Sequence, residues 1–319
     1  MIYAPVIIPT LNRKKHLQRC ISSLQKNSWA QNTTLIIGVD YPPTESYRKG
    51  YEEVCAYLNE GISGFENVEI IYHKTNLGPY ENYCFLKRYA ISKWDRFIFT
   101  EDDNEMSMNF LEYMDKGLDI FRDNKDVLAI CANGAKNEEE TPGDNIVVTH
   151  NFSAHGYGIW KDREEQLAND INRKYLTDIG GNINKIWKLY RYDSSLVFAC
   201  QSALLQKEKV YQLSNGNIPI IDMTIKIYAV LENKFVVCPC QKKARNWGYD
   251  GSGVNCPEVL SDFIPSEIDE KPHFEYRYSE EIKKSRSSTY RSIETKIRVF
   301  AAAIRLISMK IIESSKMKI

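Results

Sequence analysis

Arg96-Phe-Ile-Phe-Thr-Glu-Asp-Asp103 is a short aromatic and β-branched run that empties without a break into three consecutive carboxylates. An apolar run of this length reads as a buried strand. The acids then sit at its carboxyl end, the edge at which open α/β sheets take their ligands. Two carboxylates about 4 Å apart repel by roughly 1 kcal/mol in water and roughly 4 kcal/mol near a protein surface. A cation or a phosphate ester with its counterion relieves that repulsion, but a solvated strand exit tolerates it too, so the rest of the chain has to decide.

Outward from this junction, strand-like and helix-like segments alternate in the order expected of a parallel sheet with crossover helices. Strands are expected over residues 4–9, 34–39, 68–73, 96–100 and 127–132, and helices over 15–26, 44–60, 80–93 and 108–124. In the last of these helices Phe110, Met114, Leu118 and Phe121 recur at helical spacing as a core stripe, with Ser107 as its expected N-cap. After Asn133 the rhythm fails. Residues 136–145 are polar and contain Thr-Pro-Gly, and 153–160 are rich in glycine and aromatics. A strand-like run over 218–221 reaches Asp222, followed by a helix over 223–231 and a strand over 235–239. Asn246-Trp-Gly-Tyr-Asp-Gly-Ser-Gly-Val-Asn255 sets large side chains between three glycines, the pattern of a mobile loop with anchors.

A chain of 319 residues, 43% hydrophobic and 12% aromatic, supports one large or two ordinary packed domains. Zero formal net charge argues against nucleic acid as a partner. No apolar run approaches the roughly 18 residues that span a bilayer, and the amino terminus enters a strand rather than a signal peptide; the expected location is the cytoplasm. The eight cysteines are scattered, without a Cys-x-x-Cys pair, and are expected to be reduced core thiols. Charge is uneven: residues 282–319 hold ten Lys or Arg against two Glu. In this tail Ile293, Ile297, Phe300, Ile304, Ile307 and Ile311 step along one helical face, with Arg298, Arg305 and Lys310 elsewhere. Such a basic amphipathic helix either docks its stripe on the domain or on a second subunit, or lies on an anionic membrane through residues 289–312.

Three strand ends then carry candidate chemistry. Mg²⁺ and Mn²⁺ take oxygen ligands and are often held by one or two carboxylates plus substrate phosphates, a role that suits Asp103. Asp40 ends a second strand and can accept a hydrogen from the imide N–H of uracil; before Tyr-Pro-Pro it is equally an ordinary turn residue. Pro9-Thr-Leu-Asn-Arg13 leads into the first helix, where backbone N–H groups and Arg13 can hold phosphate, while Thr10 or Asn12 can also be only a helix cap.

Val6-Ile-Ile-Pro-Thr-Leu-Asn-Arg13, Gly38-Val-Asp40, Asn76-Leu-Gly78 and Phe99-Thr-Glu-Asp-Asp103 resemble, in order and spacing, the nucleotide-sugar half of GT-A glycosyltransferases. The likeness is to the inverting N-acetylglucosaminyltransferase I type and to bacterial family 2-like sugar transferases of polysaccharide assembly. His155-Gly-Tyr-Gly-Ile-Trp160, Ile221-Asp222 and Asn246-Trp-Gly-Tyr-Asp-Gly-Ser-Gly253 resemble that group's acceptor, base and glycine-loop segments. The resemblance covers about residues 1–256. It departs from the group in Glu-Asp-Asp for Asp-x-Asp, and in the absence of a Trp beside Asp222.

The resemblance implies a GT-A α/β domain over 1–281, with a nucleotide-sugar half over 1–132 and an acceptor half with its lid loop over 133–281, followed by the helical tail 282–319. It implies that Asp103 binds Mn²⁺ or Mg²⁺ on the donor diphosphate, that Glu101 and Asp102 place ribose or sugar, and that Asp40 reads uracil. Asn76, Gly78 and Arg245 join the donor side, with Arg245 and the following loop closing over the diphosphate. His155, Tyr157, Trp160, Asn246, Trp247 and Asp250 fall to the acceptor or lid side. Asp222 is the implied base, with Asp250 and His155 as rivals and a helix N-cap as its ordinary role. The implied acceptor is a saccharide, free or lipid-linked. Two further readings share these features: a sugar-1-phosphate nucleotidyltransferase, although the loop after the first strand has no glycine, and an inactive membrane-recruited scaffold.

Overall fold

The computed structural model describes residues 2–133, 145–205, 220–253, 266–278 and 293–316. The expected polar segment 136–145 up to its last residue, the start of the 218–221 run, Asn255, Cys256 and the beginning of the tail lie outside these.

An eight-stranded sheet in the order β3-β2-β1-β4-β8-β6-β9-β7 forms the frame. Its members are β1 (Val6–Thr10), β2 (Thr34–Val39), β3 (Asn67–Tyr72), β4 (Arg96–Phe99), β6 (Val127–Cys131), β7 (Ile146–Thr149), β8 (Tyr157–Trp160) and β9 (Phe235–Pro239). Strands β1 to β4 are mutually parallel, β8 runs antiparallel between β4 and β6, and β7 is an antiparallel edge. The two-residue period of a strand sends alternate side chains to opposite faces. Val6, Ile8, Leu35, Ile37 and Ile98 pack under α1 (Lys14–Gln25), α2 (Arg48–Asn59) and α4 (Phe110–Ile120), while Ile7, Ile36, Phe97 and Phe99 pack under α3 (Pro79–Lys93), α5 (Lys161–Asp170) and α9 (Asp222–Leu231).

The expected alternation is present, with most ends moved by a residue or two; the helix expected over 108–124 spans only Phe110–Ile120. Residues 44–60 begin as a 3₁₀ turn, Glu45–Tyr47, before α2. Ser107 does not cap α4: Asn109 holds the N-cap position, and Ser107 Oγ donates to Asn109 Oδ1 instead. Ile220 and Ile221 are loop, not strand, and the Ile220 N–H donates to Tyr80 Oη at 2.8 Å. Cys20, Cys84, Cys131, Cys200 and Cys238 are buried, as expected of core thiols.

Two features position the site. Short β5 (Asn104–Met106) pairs antiparallel with β10 (Ala244–Asn246), clipping the glycine loop against the acids through the Asn246–Asn104 register. A third apolar cluster joins α6 (Arg173–Gly180), α7 (Ile183–Tyr192), α8 (Ser195–Leu205), the outer face of α9 and the tail helix α10 (Ile293–Lys316). The tail docks through Val299, Ala302 and Leu306, not through the expected stripe: Ile297, Phe300, Ile304, Ile307 and Ile311 are exposed. Among the described residues no helix is long and apolar enough to cross a membrane.

Candidate active site

A cavity of about 450 Å³ opens at the carboxyl edge of β1, β2 and β4, within the range of small-molecule sites. Its floor is the junction between β1 and the acidic triplet. Thr10 Oγ1 donates to Asp102 Oδ2 at 2.8 Å, Arg13 Nη1 donates to Asp103 Oδ2 at 2.9 Å, and Arg13 Nη2 donates to Asp102 Oδ1. Arg13 is the N-cap residue of α1, with no side-chain cap bond from Thr10 or Asn12. Burial works against its charge, but Asp102 and Asp103 outweigh it and raise its pKa above the ordinary value. Burial also pushes the Asp102 carboxyl up, against the pull of Arg13.

Glu101 is pushed up to about 8 by burial and then by the charges of Asp103 and Asp102; Asp222 adds to the same shift. Asp222 lines the cavity as the first helical residue of α9, with Ile221 at the N-cap. Its ordinary role as an N-cap therefore does not apply, although its Oδ1 takes the Met223 N–H at 2.8 Å. A helix N-terminus favours a negative charge at that place.

Asp103 is held from the other side by the clip. Asn246 Nδ2 donates to Asp103 Oδ1 at 2.7 Å, and the Trp247 N–H donates to the Asp103 carbonyl at 2.9 Å. Gly248 lies so close that a Cβ there would meet Asp103 Cγ at 3.0 Å. Asp40 occupies the far wall, where its two oxygens take four hydrogens: Tyr41 N–H and Leu77 N–H at 2.8 Å on Oδ1, Asn76 Nδ2 at 3.0 Å and Gly78 N–H at 2.8 Å on Oδ2. Gly78 sits at φ +81°, a conformation that suits glycine, just before α3.

Pro9, Thr10, Asn12, Arg13, Asp40, Asn76, Gly78, Glu101, Asp102, Asp103, Asp222 and Asn246 thus come together in one cavity, and His155 and Tyr157 join them because β8 lies beside β4 with Tyr157 opposite Phe99. Four expected residues do not line it. Trp160 is buried in the core, its Nε1 donating to the Leu118 carbonyl at 2.9 Å, because the alternation of β8 turns it inward. Arg245 pairs with Glu105 at 3.0 Å across the β5–β10 clip. Trp247 donates from Nε1 to Glu105 Oε2 at 2.8 Å and lies under the Arg19 guanidinium. Asp250 pairs with His16 at 2.9 Å and accepts from Ser252. Tyr47, Tyr80, Tyr83 and Tyr249 line the cavity without having been singled out. For Tyr80 and Tyr83 a signal existed, since both fall in the first turns of a helix that starts at the ligand edge.

The donor set fits a hard divalent cation. Among the described residues no three His, Cys, Asp or Glu side chains form a ready cage, but such ions usually keep one or two carboxylates and fill the rest with phosphate and water. Asp103 Oδ1 and Oδ2 each hold one protein hydrogen and keep further lone pairs that a cation can use, with Gly248 packed against the carboxylate.

The model of the family described as "Glycosyl transferase family 2" matches residues 6–182, more than half of the chain. The chain belongs to glycosyl transferase family 2. The match runs from β1 through α6, so the triplet, Arg13 and Asp40 lie inside it, whereas Asp222 and the glycine loop lie beyond. With the sheet order above, this gives the α/β GT-A architecture that the motifs led us to expect. Among solved structures, the mannosyltransferase PcManGT of Pyrobaculum calidifontis, in complex with GDP-Man and Mn²⁺, is similar at 12% identity and TM-score 0.37 over 52% of this chain and 46% of its own. TarS of S. aureus is similar at 14% identity and TM-score 0.35 over 52% of this chain and 29% of its own. Mouse xyloside xylosyltransferase 1 is similar at 12% identity and TM-score 0.32 over 51% of this chain and 69% of its own. The matched region is thus less than half the length of the first two. No curated protein matches.

Proposed function

We propose that this family 2 member moves a sugar from a nucleoside diphosphate donor, a UDP-sugar in the first instance, to a hydroxyl of a saccharide or lipid-linked saccharide, with inversion, in cell-surface polysaccharide synthesis. The observation that carries the reading is the placement of one cation, Arg13, between Asp102 and Asp103 on the floor of the same cavity that Asp222 lines. Arg13 is paired with Asp102 and Asp103, so a diphosphate there needs the added positive charge of a metal ion, and transfer needs a base across from it.

In this reading Arg13 and the first turn of α1 hold phosphate oxygens. Mn²⁺ or Mg²⁺ at Asp103, when bound, would supply Lewis-acid stabilisation of the departing diphosphate. Glu101 and Asp102 orient the donor sugar or ribose. Asp40 shapes the wall at the base end; because its oxygens already take four protein hydrogens, we assign it the Asn76–Gly78 loop rather than direct contact with uracil. Asp222 takes the proton of the acceptor hydroxyl as that oxygen attacks the anomeric carbon from the face opposite the leaving group, through an oxocarbenium-like state. His155, Tyr157 and Tyr249 bound the side from which the acceptor enters. A lipid-linked acceptor places this chemistry on the cytoplasmic face of a membrane.

The test is UDP release from a panel of sugar nucleotides with and without Mn²⁺ or Mg²⁺. Turnover should require the metal, and Asp222→Asn should lower kcat by about 10²-fold to 10⁴-fold, the usual share of a general base, with donor KM nearly unchanged. A loss confined to donor KM would place the base at another residue, and metal-independent turnover would remove the role given to Asp103.

A further inference from the structure

The tail helix α10 has two apolar faces with different fates. Val299, Ala302 and Leu306 are buried against α6 and α8, and Gly180 lets α6 come so near that a Cβ there would meet the Leu306 carbonyl carbon at 2.6 Å. At 3.6 residues per turn, Ile297, Phe300, Ile304 and Ile307 fall on the opposite side. All four are exposed, Ile297 by 64% and Phe300 by 68%. On α7, Ile183 and Trp187 stand one turn apart and are exposed by 67% and 56%. The start of α7 lies beside the last turns of α10: a Cβ at Gly181 would meet Lys310 Cγ at 3.3 Å, and Ile183 follows two residues later. The start of the α7 ridge thus lies near the last turns of α10.

Single exposed apolar residues need no explanation, but ridges on two adjoining helices mark an interaction surface. Its rim is basic. Lys188 and Arg191 on α7 and Arg298 and Arg305 on α10 are exposed; α10 also carries Glu294 and Glu313, whose side chains lie outside the described residues. That charge selects the occupant. A second copy would bring the same cations against these, whereas anionic headgroups complement them, and a Trp at the edge of an apolar patch suits the headgroup boundary.

We infer that the α7–α10 surface seats the protein on an anionic bilayer, with Ile297, Phe300, Ile304, Ile307 and Trp187 in the acyl boundary and the arginines at phosphate level. The geometry connects this surface to the cavity. Lys188 Nζ donates to the Leu231 carbonyl at 3.0 Å, at the far end of α9 from Asp222. A ten-residue helix spans about 15 Å, so the acceptor side of the cavity stands roughly one helix length from the seated face. Only that last connection rests on the transfer reading; the surface does not.

The test is flotation of the full chain with vesicles of phosphatidylcholine alone and of phosphatidylcholine mixed with phosphatidylglycerol, scored beside UDP release in free solution. The protein should float with the mixed vesicles and come off as salt rises. The pair Phe300→Asp and Ile304→Asp should cut binding about tenfold or more, with melting temperature and UDP release unchanged; Arg298→Glu with Arg305→Glu should weaken binding to the mixed vesicles only. Absent binding, or equal binding by wild type and the Phe300→Asp, Ile304→Asp pair, overturns the inference. So does a dimer in solution that Phe300→Asp disperses while vesicles stay unbound. Loss of UDP release with vesicle binding intact would instead fail the transfer reading alone.

Discussion

Gly248→Ala adds one methyl group where the glycine loop faces Asp103. The new Cβ would stand 3.0 Å from Asp103 Cγ and 3.1 Å from Asn246 Oδ1, and would overlap Asp103 Oδ2. Carbon atoms in contact prefer about 3.5–4.0 Å, so the carboxylate or the loop must yield by about 0.5–1 Å. Gly248 does not lie in the left-handed region, so alanine meets no backbone penalty and the methyl is the whole perturbation. Asp103 cannot retreat freely, because Arg13 and Asn246 hold its oxygens and the Trp247 N–H holds its carbonyl. Overpacking of this kind costs about 1–3 kcal/mol of stability. A 1 Å misplacement in a reacting geometry costs about 10²-fold in rate, equivalent to about 2.7 kcal/mol of barrier. Thermal melting and steady-state UDP release across a Mn²⁺ titration measure the two separately. The expected result is a melting temperature lower by a few degrees, kcat/KM lower by about a hundredfold, and a higher metal requirement. A variant that folds and turns over like wild type at the same Mn²⁺ midpoint would refute the assignment of Asp103 to the metal and diphosphate.

The two roles open to Asp40 separate in stability. If its four hydrogen bonds organise the Asn76–Gly78 loop, Asp40→Ala should lower stability by about 2–4 kcal/mol, since bonds to charged groups contribute about 1.5–3 kcal/mol each and part of that is recovered by water; a raised donor KM with unchanged melting would instead mean direct base contact. Asp115, fully buried with Oδ1 on the Ala4 N–H at 2.9 Å, is pushed up to about 7 by burial. An unfolded aspartate ionises near 3.9, so the folded chain keeps a proton that the unfolded chain has lost. This contribution is full below about pH 4, declines as pH rises, and is gone above about 7. Its ceiling is about 4 kcal/mol. Asp115→Asn should flatten that part of the stability curve, read as the difference between variant and wild-type denaturant midpoints from pH 4 to 8; parallel curves would exclude it.

The parts of the site that were legible in the sequence are local. Period-two apolar runs ending in Pro9–Arg13, Asp40 and Glu101–Asp103 declare strands that deliver polar groups to one edge, because strand alternation and abrupt polarity changes need no knowledge of the partners. The fate of a side chain beyond such an edge is a different matter. Trp247 and Asp250 sit in the same loop as Asn246, and the same glycine-rich string is compatible with any of the three facing the cavity. The β5–β10 register decides, turning Asn246 to Asp103 and leaving Trp247 to Arg19 and Glu105 and Asp250 to His16. Asp40 likewise reads as a ligand or as a turn residue until the Asn76–Gly78 loop, far along the chain, is brought against it.

The tail marks the division most clearly. Its sequence determines a basic helix with more apolar residues than one face can hold, and by size alone Ile297, Phe300, Ile304 and Ile307 are the ones to bury. Tertiary structure decides otherwise. Docking on α6 is a close backbone approach at Gly180, which favours Ala302 and the flanking Val299 and Leu306 over the bulkier ridge. Hydrophobic periodicity registers how apolar each face is, and says nothing of how near the neighbouring helix can come.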